Sequence, residues 1–479
     1  MAIYFNGFET IPENRQMTDI TSPATGKVLA KWAKAIEGDG EQILRIARDG
    51  FKKWSSMHLH ERAKCLLKYA DLLVSHSDEV ALTECHDMGK LLSECQGETL
   101  GSAEITKGYV ERAKHLYGEV ISDLQPGTDK DIIFTRREPI GVFLCIIPFN
   151  FPVELFTHKV IPALIMGNSV IVKVPSENPL PLYKMTELLV EAGVPKEAIT
   201  LIYADRTFVT EEIIKSDQID GISLTGSTAT GIDVLSNSAK QLHKTFMELG
   251  GNDALIVTEG ANLEYAVDEL IASRLLNAGQ TCCATKRVLV HENIEKEFIR
   301  LLLEKIQGYK FGNPEDPNTR MGCVVSAKAA KQIIKQVELT VQQGATCICG
   351  GKLAADAYVE PTVLVNVTRN MDVAKDMEIF GPVIPIIRYH SIEEAVEIAN
   401  QSVYGLEASI ISDKPYEAIA LAARLQAGTI VINGAGTYRH MDMPFGGYKQ
   451  SGIGREGIMV TLEEFSQVKS YVLKRALDS

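Results

Sequence analysis

From Gly141 onward the chain repeats one pattern: a short β-branched apolar run, a turn, and an amphipathic stretch. The runs VFLCII (142–147), SVIVKV (169–174), ITLIY (199–203) and GISLTG (221–226) are largely apolar, and a helical pattern at 181–192 ended by Gly193 separates two of them. A strand wetted on one side alternates polar and apolar residues. These runs do not, so they suit strands covered on both faces. Parallel neighbours need long crossovers, which the intervening helices supply. After Gly250 the alternation restarts with DALIV (253–257), a helix at 263–277, RVLVH (287–291) and a helix at 294–306, and it continues to GTIVING (428–434). The pattern therefore predicts an α/β fold of two successive parallel-sheet units that meet near Gly250. Ligand sites in such folds prefer the carboxyl ends of strands and the junction between units.

Ahead of this region the chain reads as helical at 40–54 and 60–76, with Ile43, Ile46, Ala47 and Phe51 at three- and four-residue spacing. The segment 118–138 interrupts with an extended, turn-containing pattern. A length of 479 residues supports two or three domains, and 45% hydrophobic with 23% charged residues is ordinary for a globular chain. The net charge of −13 argues against a nucleic-acid partner and against an anionic membrane surface. The N-terminus has no basic stretch leading into an apolar core, and no apolar run reaches the roughly 18 residues that span a bilayer. Nine scattered cysteines form no disulfide framework and suit reduced thiols in a cytoplasm. Cys347 and Cys349 lack a second pair or nearby histidines, so no metal site is expected.

Three segments carry the chemistry. NAGQTCCATKRVLV places Cys282 and Cys283 between a helical and a strand-like stretch. A thiolate there is a strong nucleophile, although buried cysteines often serve packing alone, and composition does not choose between the two. KTFMELGGNDALIV holds Glu248 between an apolar pair and a glycine turn, where raised proton affinity would suit a general base. LTGSTATG sets Gly226, Ser227 and Gly231 at a strand-to-helix turn of the kind whose amides attract phosphate, and an ordinary turn is the competing reading.

Six segments, PFNFP (148–152), LTGSTATG (224–231), MELGGNDALIV (247–257), GQTCCA (279–284), EIFGPV (378–383) and MPFGGYKQSGIGREG (443–457), follow one another along nearly the whole chain. Together they resemble the signatures of the aldehyde dehydrogenase superfamily, in its NAD(P)-dependent, non-acylating form. The loop NGAGTYRHMDMPFGG (433–447) is similar to branches acting on lactaldehyde, succinate semialdehyde or, without phosphorylation, glyceraldehyde-3-phosphate.

The resemblance implies two Rossmann-like parallel-sheet domains and a small β oligomerisation arm. Their expected extents are 1–117 with 139–250 for dinucleotide binding, 251–448 for catalysis, and 118–138 with 449–479 for the arm of a homodimer or homotetramer. It implies Cys282 as nucleophile, Glu248 as the base that activates water, and Asn150 as oxyanion donor together with the Cys282 amide. NADP or NAD is the implied cofactor. Lys173 would reach its adenosine ribose and Gly226 and Ser227 its pyrophosphate, with Glu378 on the nicotinamide ribose, Phe380 beside it, and Pro148 and Leu249 flanking. Ser176 stands where NAD-preferring members usually carry glutamate, which points to NADP. The implied aldehyde pocket holds Phe151, Glu154, Leu155, His158, Thr281, Thr437 and Tyr438, with Arg439 and His440 beside it. Thr281 departs from the arginine frequent in two of those branches. The expected substrate is a small, anionic aldehyde. The competing readings are a coenzyme-A-acylating member, which typically lacks the glutamate at 248, and a non-catalytic binding protein of the same fold.

Overall fold

The computed structural model describes residues 5–12, 15–122 and 125–477. A short antiparallel hairpin, Met17–Thr21 with Val28–Ala33, leads into helices α1 (Gly40–Ser55), α2 (Leu59–Ser75), α3 (Ser77–Met88) and α4 (Leu92–Ala113). Ile43, Ala47, Gly50 and Trp54 lie on the buried face of α1, as their spacing requires. Gly50 has a specific reason to be there: a Cβ would sit 1.9 Å from the Glu197 carbonyl. Two extended pieces follow, β1 (Val120–Ile121) and β2 (Ile132–Pro139).

The first parallel unit is β3 (Val142–Ile146), α5 (Pro152–Ile165), β4 (Ser169–Lys173), α6 (Leu180–Ala192), β5 (Ile199–Ile202), β6 (Gly221–Thr225), α7 (Thr228–Ser238) and β7 (Lys244–Glu248). Its order across the sheet is β7-β6-β3-β4-β5, so the winding reverses between β3 and β6. Such a reversal opens a crevice at the carboxyl ends, where dinucleotides bind in doubly wound folds. Gly193 ends α6 at φ 111°, which a residue without Cβ adopts freely.

The second unit is β8 (Ala254–Val257), α8 (Leu263–Leu275), β9 (Arg287–His291), α9 (Glu295–Gln307), α10 (Ala327–Gln342), β10 (Thr346–Cys349), β11 (Thr362–Val367), β12 (Val383–Tyr389), β13 (Glu407–Ile411) and β14 (Thr429–Ile432). They form one sheet in the order β10-β11-β12-β9-β8-β13-β14, parallel except for edge strand β10. Each sheet carries its own apolar core. The alternation predicted from sequence is thus realised as an α/β fold.

Two expectations shift. The helix expected over 263–277 stops at Leu275, because Asn277 and Ala278 take φ of 48° and 52° and Gly279 follows at 78°. Left-handed residues cannot continue a right-handed helix. The span 449–479, expected in the arm, divides. Strand β15 (Gly452–Ile453) instead extends the first sheet by pairing with Glu248 and Met247 of β7, a strand too short to leave a periodic signal. Only β16 (Ser466–Leu473) joins the arm, antiparallel to β2, with β1 on the other side.

The two sheets offer opposite ends to their junction. In the first, Asn150, Lys173, Gly226 and Glu248 end or follow strands; in the second, Asp253 and Cys282 precede β8 and β9. No helix among the described residues is long and apolar enough to cross a membrane.

Candidate active site

Cys282 lies on a short turn between the left-handed bend and β9 and is partly accessible, whereas Cys283 is buried against Leu406 and Phe445. The structure thus separates two thiols that composition did not. A hydrogen bond from the Cys283 thiol pulls the Cys282 thiol below its ordinary value; burial opposes this, and Lys286 and Arg439 add to it. Cys283 is held well above the usual thiol range by the same contact and by burial. The Lys286 ammonium donates to the Cys282 carbonyl and pairs with Glu378 at 3.2 Å. A lowered thiol with a cation nearby is the state a nucleophile needs.

Glu248 ends β7 and is 8% exposed, and its Oε2 has no partner among the described residues. Burial pushes its carboxyl well above the usual carboxylate range. Glu456 and Cys282 push further, while Lys159 and Arg439 pull back. Gly446 is needed beside it, since a Cβ there would lie 2.7 Å from the Glu248 Oε1. Beside Glu248 sit Lys159 and Glu456, two residues that the sequence did not single out. Lys159 pairs with Glu456 at 3.5 Å, and Arg439 donates to Glu456 at 2.8 Å. Against the upward push of burial, His158, Lys159 and Arg439 hold the Glu456 carboxyl at about 2.

Asn150 follows β3 and is buried, and among the described residues its side-chain amide donates to no protein acceptor. Its carbonyl accepts from the Asn277 side-chain amide at 2.8 Å, which ties it to the loop bearing Cys282. Phe149 meets Phe380 edge-on at 5.8 Å, closing the same side. Cys282 and Glu248 thus come from distant segments close enough to act on one another, and Asn150 is linked to the Cys282 loop through Asn277.

A cleft of about 750 Å³ opens beside them, lined by Phe149, Glu177, Gln280, Glu378 and Phe380, with α10 along one wall. Lys173 ends β4; burial lowers its ammonium, and Glu177 opposes this. Ser176 and Glu177 are exposed, so position 176 presents a hydroxyl and no charge. Ser227 caps α7 by accepting the Thr230 amide at 3.2 Å, and Gly226 donates its amide to the Glu248 carbonyl at 3.0 Å. The turn is thereby stitched to the strand that carries Glu248. Leu249 packs on Gly231, where a Cβ would meet it at 2.7 Å, and Gly250 leaves room for Glu378. Pro148 is half-buried at the end of β3. The helix N-terminus, the carboxylate of Glu378 and the ring of Phe380 on one crevice fit a dinucleotide.

The expected pocket residues behave unequally. Arg439 lies 3.8 Å over the Phe445 ring, close enough to Cys282 and Glu248 to influence both. Thr281 is buried with its hydroxyl unpartnered, and Leu155 is buried. Phe151 lies under the Lys90 ammonium at 4.1 Å. His158 is engaged by the Tyr109 hydroxyl at 2.9 Å, and Glu154 faces its other nitrogen at 3.8 Å. Tyr438 is 58% exposed and His440 is exposed, so both stand at the rim. Thr437 is half-buried.

The description "Aldehyde dehydrogenase family" matches residues 10–471. The chain belongs to the aldehyde dehydrogenase family. It is accordingly an oxidoreductase acting on aldehydes. Among similar family members, 3-sulfolactaldehyde dehydrogenase of Priestia aryabhattai is 34% identical over 98% of this chain and 97% of its own length. The mitochondrial succinate-semialdehyde dehydrogenase of Rattus norvegicus is 36% identical over 94% and 86%. A solved structure of the Methanocaldococcus jannaschii glyceraldehyde-3-phosphate dehydrogenase complexed with NADP superposes with a TM-score of 0.91 at 31% identity, covering 97% of this chain and all (100%) of that one.

Proposed function

We propose that this aldehyde dehydrogenase oxidises a short, anionic aldehyde to its carboxylate with NADP in preference to NAD. The observation that carries the reading is a partly accessible Cys282 close enough to the buried Glu248 carboxyl to act on it, on a loop tied to Asn150 through Asn277. The Cys282 thiolate attacks the aldehyde carbon, and the carbonyl electrons move onto oxygen as a thiohemiacetal. Asn150 and the Cys282 amide stabilise that oxyanion, an effect of roughly 3–4 kcal/mol per donor in comparable sites. A nicotinamide bound in the cleft would supply the hydride acceptor for oxidation of the thiohemiacetal to a thioester. Glu248 then takes a proton from water, the hydroxide adds to the thioester, and the acid leaves as Cys282 regains its thiolate. Retention of Glu248 supports hydrolysis over transfer to coenzyme A.

Arg439 supports the anionic substrate: it is a guanidinium held beside the nucleophile by Glu456 and the Phe445 face. Relatives named for 3-sulfolactaldehyde, succinate semialdehyde and glyceraldehyde-3-phosphate agree, since each of those aldehydes bears a second, anionic group. A neutral hydroxyaldehyde is the second reading, favoured by the unpartnered Thr281 hydroxyl. The uncharged Ser176 supports NADP, and scattered free thiols support a cytoplasmic setting. The arm exposes Val120, Val468, Val472 and Leu473, apolar surface that a second subunit would cover in a dimer or tetramer. The test is the appearance of reduced cofactor with matched anionic and neutral aldehydes against each cofactor. Equal kcat/KM for the two aldehyde classes, or no turnover with any aldehyde, refutes the reading.

A further inference from the structure

Helix α4 carries two carboxylates one turn apart, Glu94 and Glu98, and each holds a different part of the site. The Glu94 Oε1 accepts the backbone N–H of Asn277 at 3.2 Å. The Asn277 side-chain amide in turn donates to the Asn150 carbonyl at 2.8 Å and the Gln280 carbonyl at 3.4 Å. The Glu98 Oε1 accepts the N–H groups of Val153 and Glu154, both at 2.9 Å, in the first turn of α5 just beyond Asn150. Lys90 neutralises this second carboxylate, pairing with Glu98 and, at 2.7 Å, with Glu84. Glu84, Lys90 and Glu98 are buried, and no chemical step described above uses them.

The bend at Asn277, Ala278 and Gly279 is what needs holding. Three consecutive left-handed residues precede the nucleophile, and one of them is alanine, which disfavours that conformation. Gly279 has no alternative, because a Cβ would lie 2.3 Å from the Gly381 carbonyl. A bend of this kind persists only where surroundings over-determine it. We propose that Glu94 and Asn277 form a clamp that fixes the Cys282 loop against the Asn150 segment, so that sulfur and oxyanion donor keep one separation. Both are positioning residues: neither touches the reacting atoms. The inference rests on the roles of Cys282 and Asn150 given above.

Burial pushes the Glu94 carboxyl to about 7, and its Oε2 has no partner. A neutral carboxyl still offers a carbonyl oxygen to the Asn277 N–H, so the contact does not depend on charge. Glutamine should therefore replace Glu94, whereas alanine should not.

Two reactions of the full-length protein separate positioning from general damage. An activated aryl acetate acylates Cys282: a sulfur–carbon bond forms, the carbon–oxygen bond to the phenol breaks, and the phenolate leaves. That step needs both the thiolate and an aligned oxyanion donor. Iodoacetamide alkylation needs the thiolate alone. Glu94→Ala is expected to slow acylation about 10²-fold, the cost of a donor misplaced by about an ångström, while alkylation stays within about twofold. Glu94→Gln is expected to match the wild type in both. Asn277→Asp keeps the backbone contact to Glu94 but loses the donor to Asn150, so it should reproduce the alanine result. Wild-type acylation in Glu94→Ala, a parallel fall of acylation and alkylation, or equal damage from glutamine and alanine would each overturn the clamp. A wild-type chain that acylates normally but oxidises no aldehyde would instead remove the functional reading and leave the clamp standing.

Discussion

Replacing Ser176 by glutamate should turn the enzyme from NADP toward NAD. Ser176 is exposed on the loop after β4, close in sequence to Lys173, and the acidic group acting on Lys173 is Glu177. A carboxylate at 176 would face the extra phosphate of NADP across solvent. Two unit charges about 5 Å apart in water-like surroundings repel by ~0.8 kcal/mol, and a phosphate of charge about −2 doubles that to ~1.6 kcal/mol. The low-dielectric wall of the cleft would raise the figure, giving a change of roughly 10- to 100-fold in relative kcat/KM. The measurement is kcat/KM for both cofactors with one aldehyde, at low and high salt. The loss with NADP should shrink as salt screens the new charge, since the Debye length falls from ~30 Å at 0.01 M to ~3 Å at 1 M. NAD turnover should hold or improve. A cofactor ratio within about twofold of wild type, or a loss with both cofactors alike, would refute the assignment of position 176 to the phosphate.

Glu248→Gln should give a rapid burst of reduced cofactor followed by turnover about 10²–10⁴-fold slower, because acylation survives and hydrolysis loses its base; stopped-flow absorbance distinguishes this from uniform loss. Because the Cys282 thiol is depressed, its alkylation rate should rise with pH through an inflection below that of a free thiol; removing the principal cause with Cys283→Ala should move that inflection upward. Arg439→Gln should raise KM for anionic aldehydes about 10- to 100-fold, the worth of one charged hydrogen bond, with less than about threefold effect on neutral ones. Gly50→Ala should lower thermal stability by about 1–3 kcal/mol without changing kcat, since its new methyl would overlap the Glu197 carbonyl.

Strands β3 to β6 of the first sheet and β8, β9 and β14 of the second were legible because buried parallel strands need largely apolar runs, as in 169–173 and 287–291. Cys282, Glu248 and Asn150 were singled out through resemblance, since their local segments also admit packing, loop and turn readings. The supporting charges were not. Lys159 in an apolar helix, Lys286 beside a strand, Glu94 and Glu98 on α4, and Glu456 in a glycine-rich tail each look like solvated residues when read locally. Glu98 meets Val153 across 55 positions, Glu94 meets Asn277 across 183 and Lys159 meets Glu456 across 297, and no short-range periodicity encodes that. The bend at Asn277 was likewise hidden, because its neighbours up to Leu275 keep helical spacing.

The opposed orientation of the two sheets has an evolutionary consequence. The chemistry proposed above lies at the amino ends of β8 and β9, and the loops at their carboxyl ends, around Thr258–Gly260 and Glu292, hold none of the residues assigned to it. Insertions there can accumulate and diversify surface behaviour while the rate stays constant. The turns before those strands enjoy no such freedom, and lineages should vary one rim of the domain while the opposite rim stays frozen.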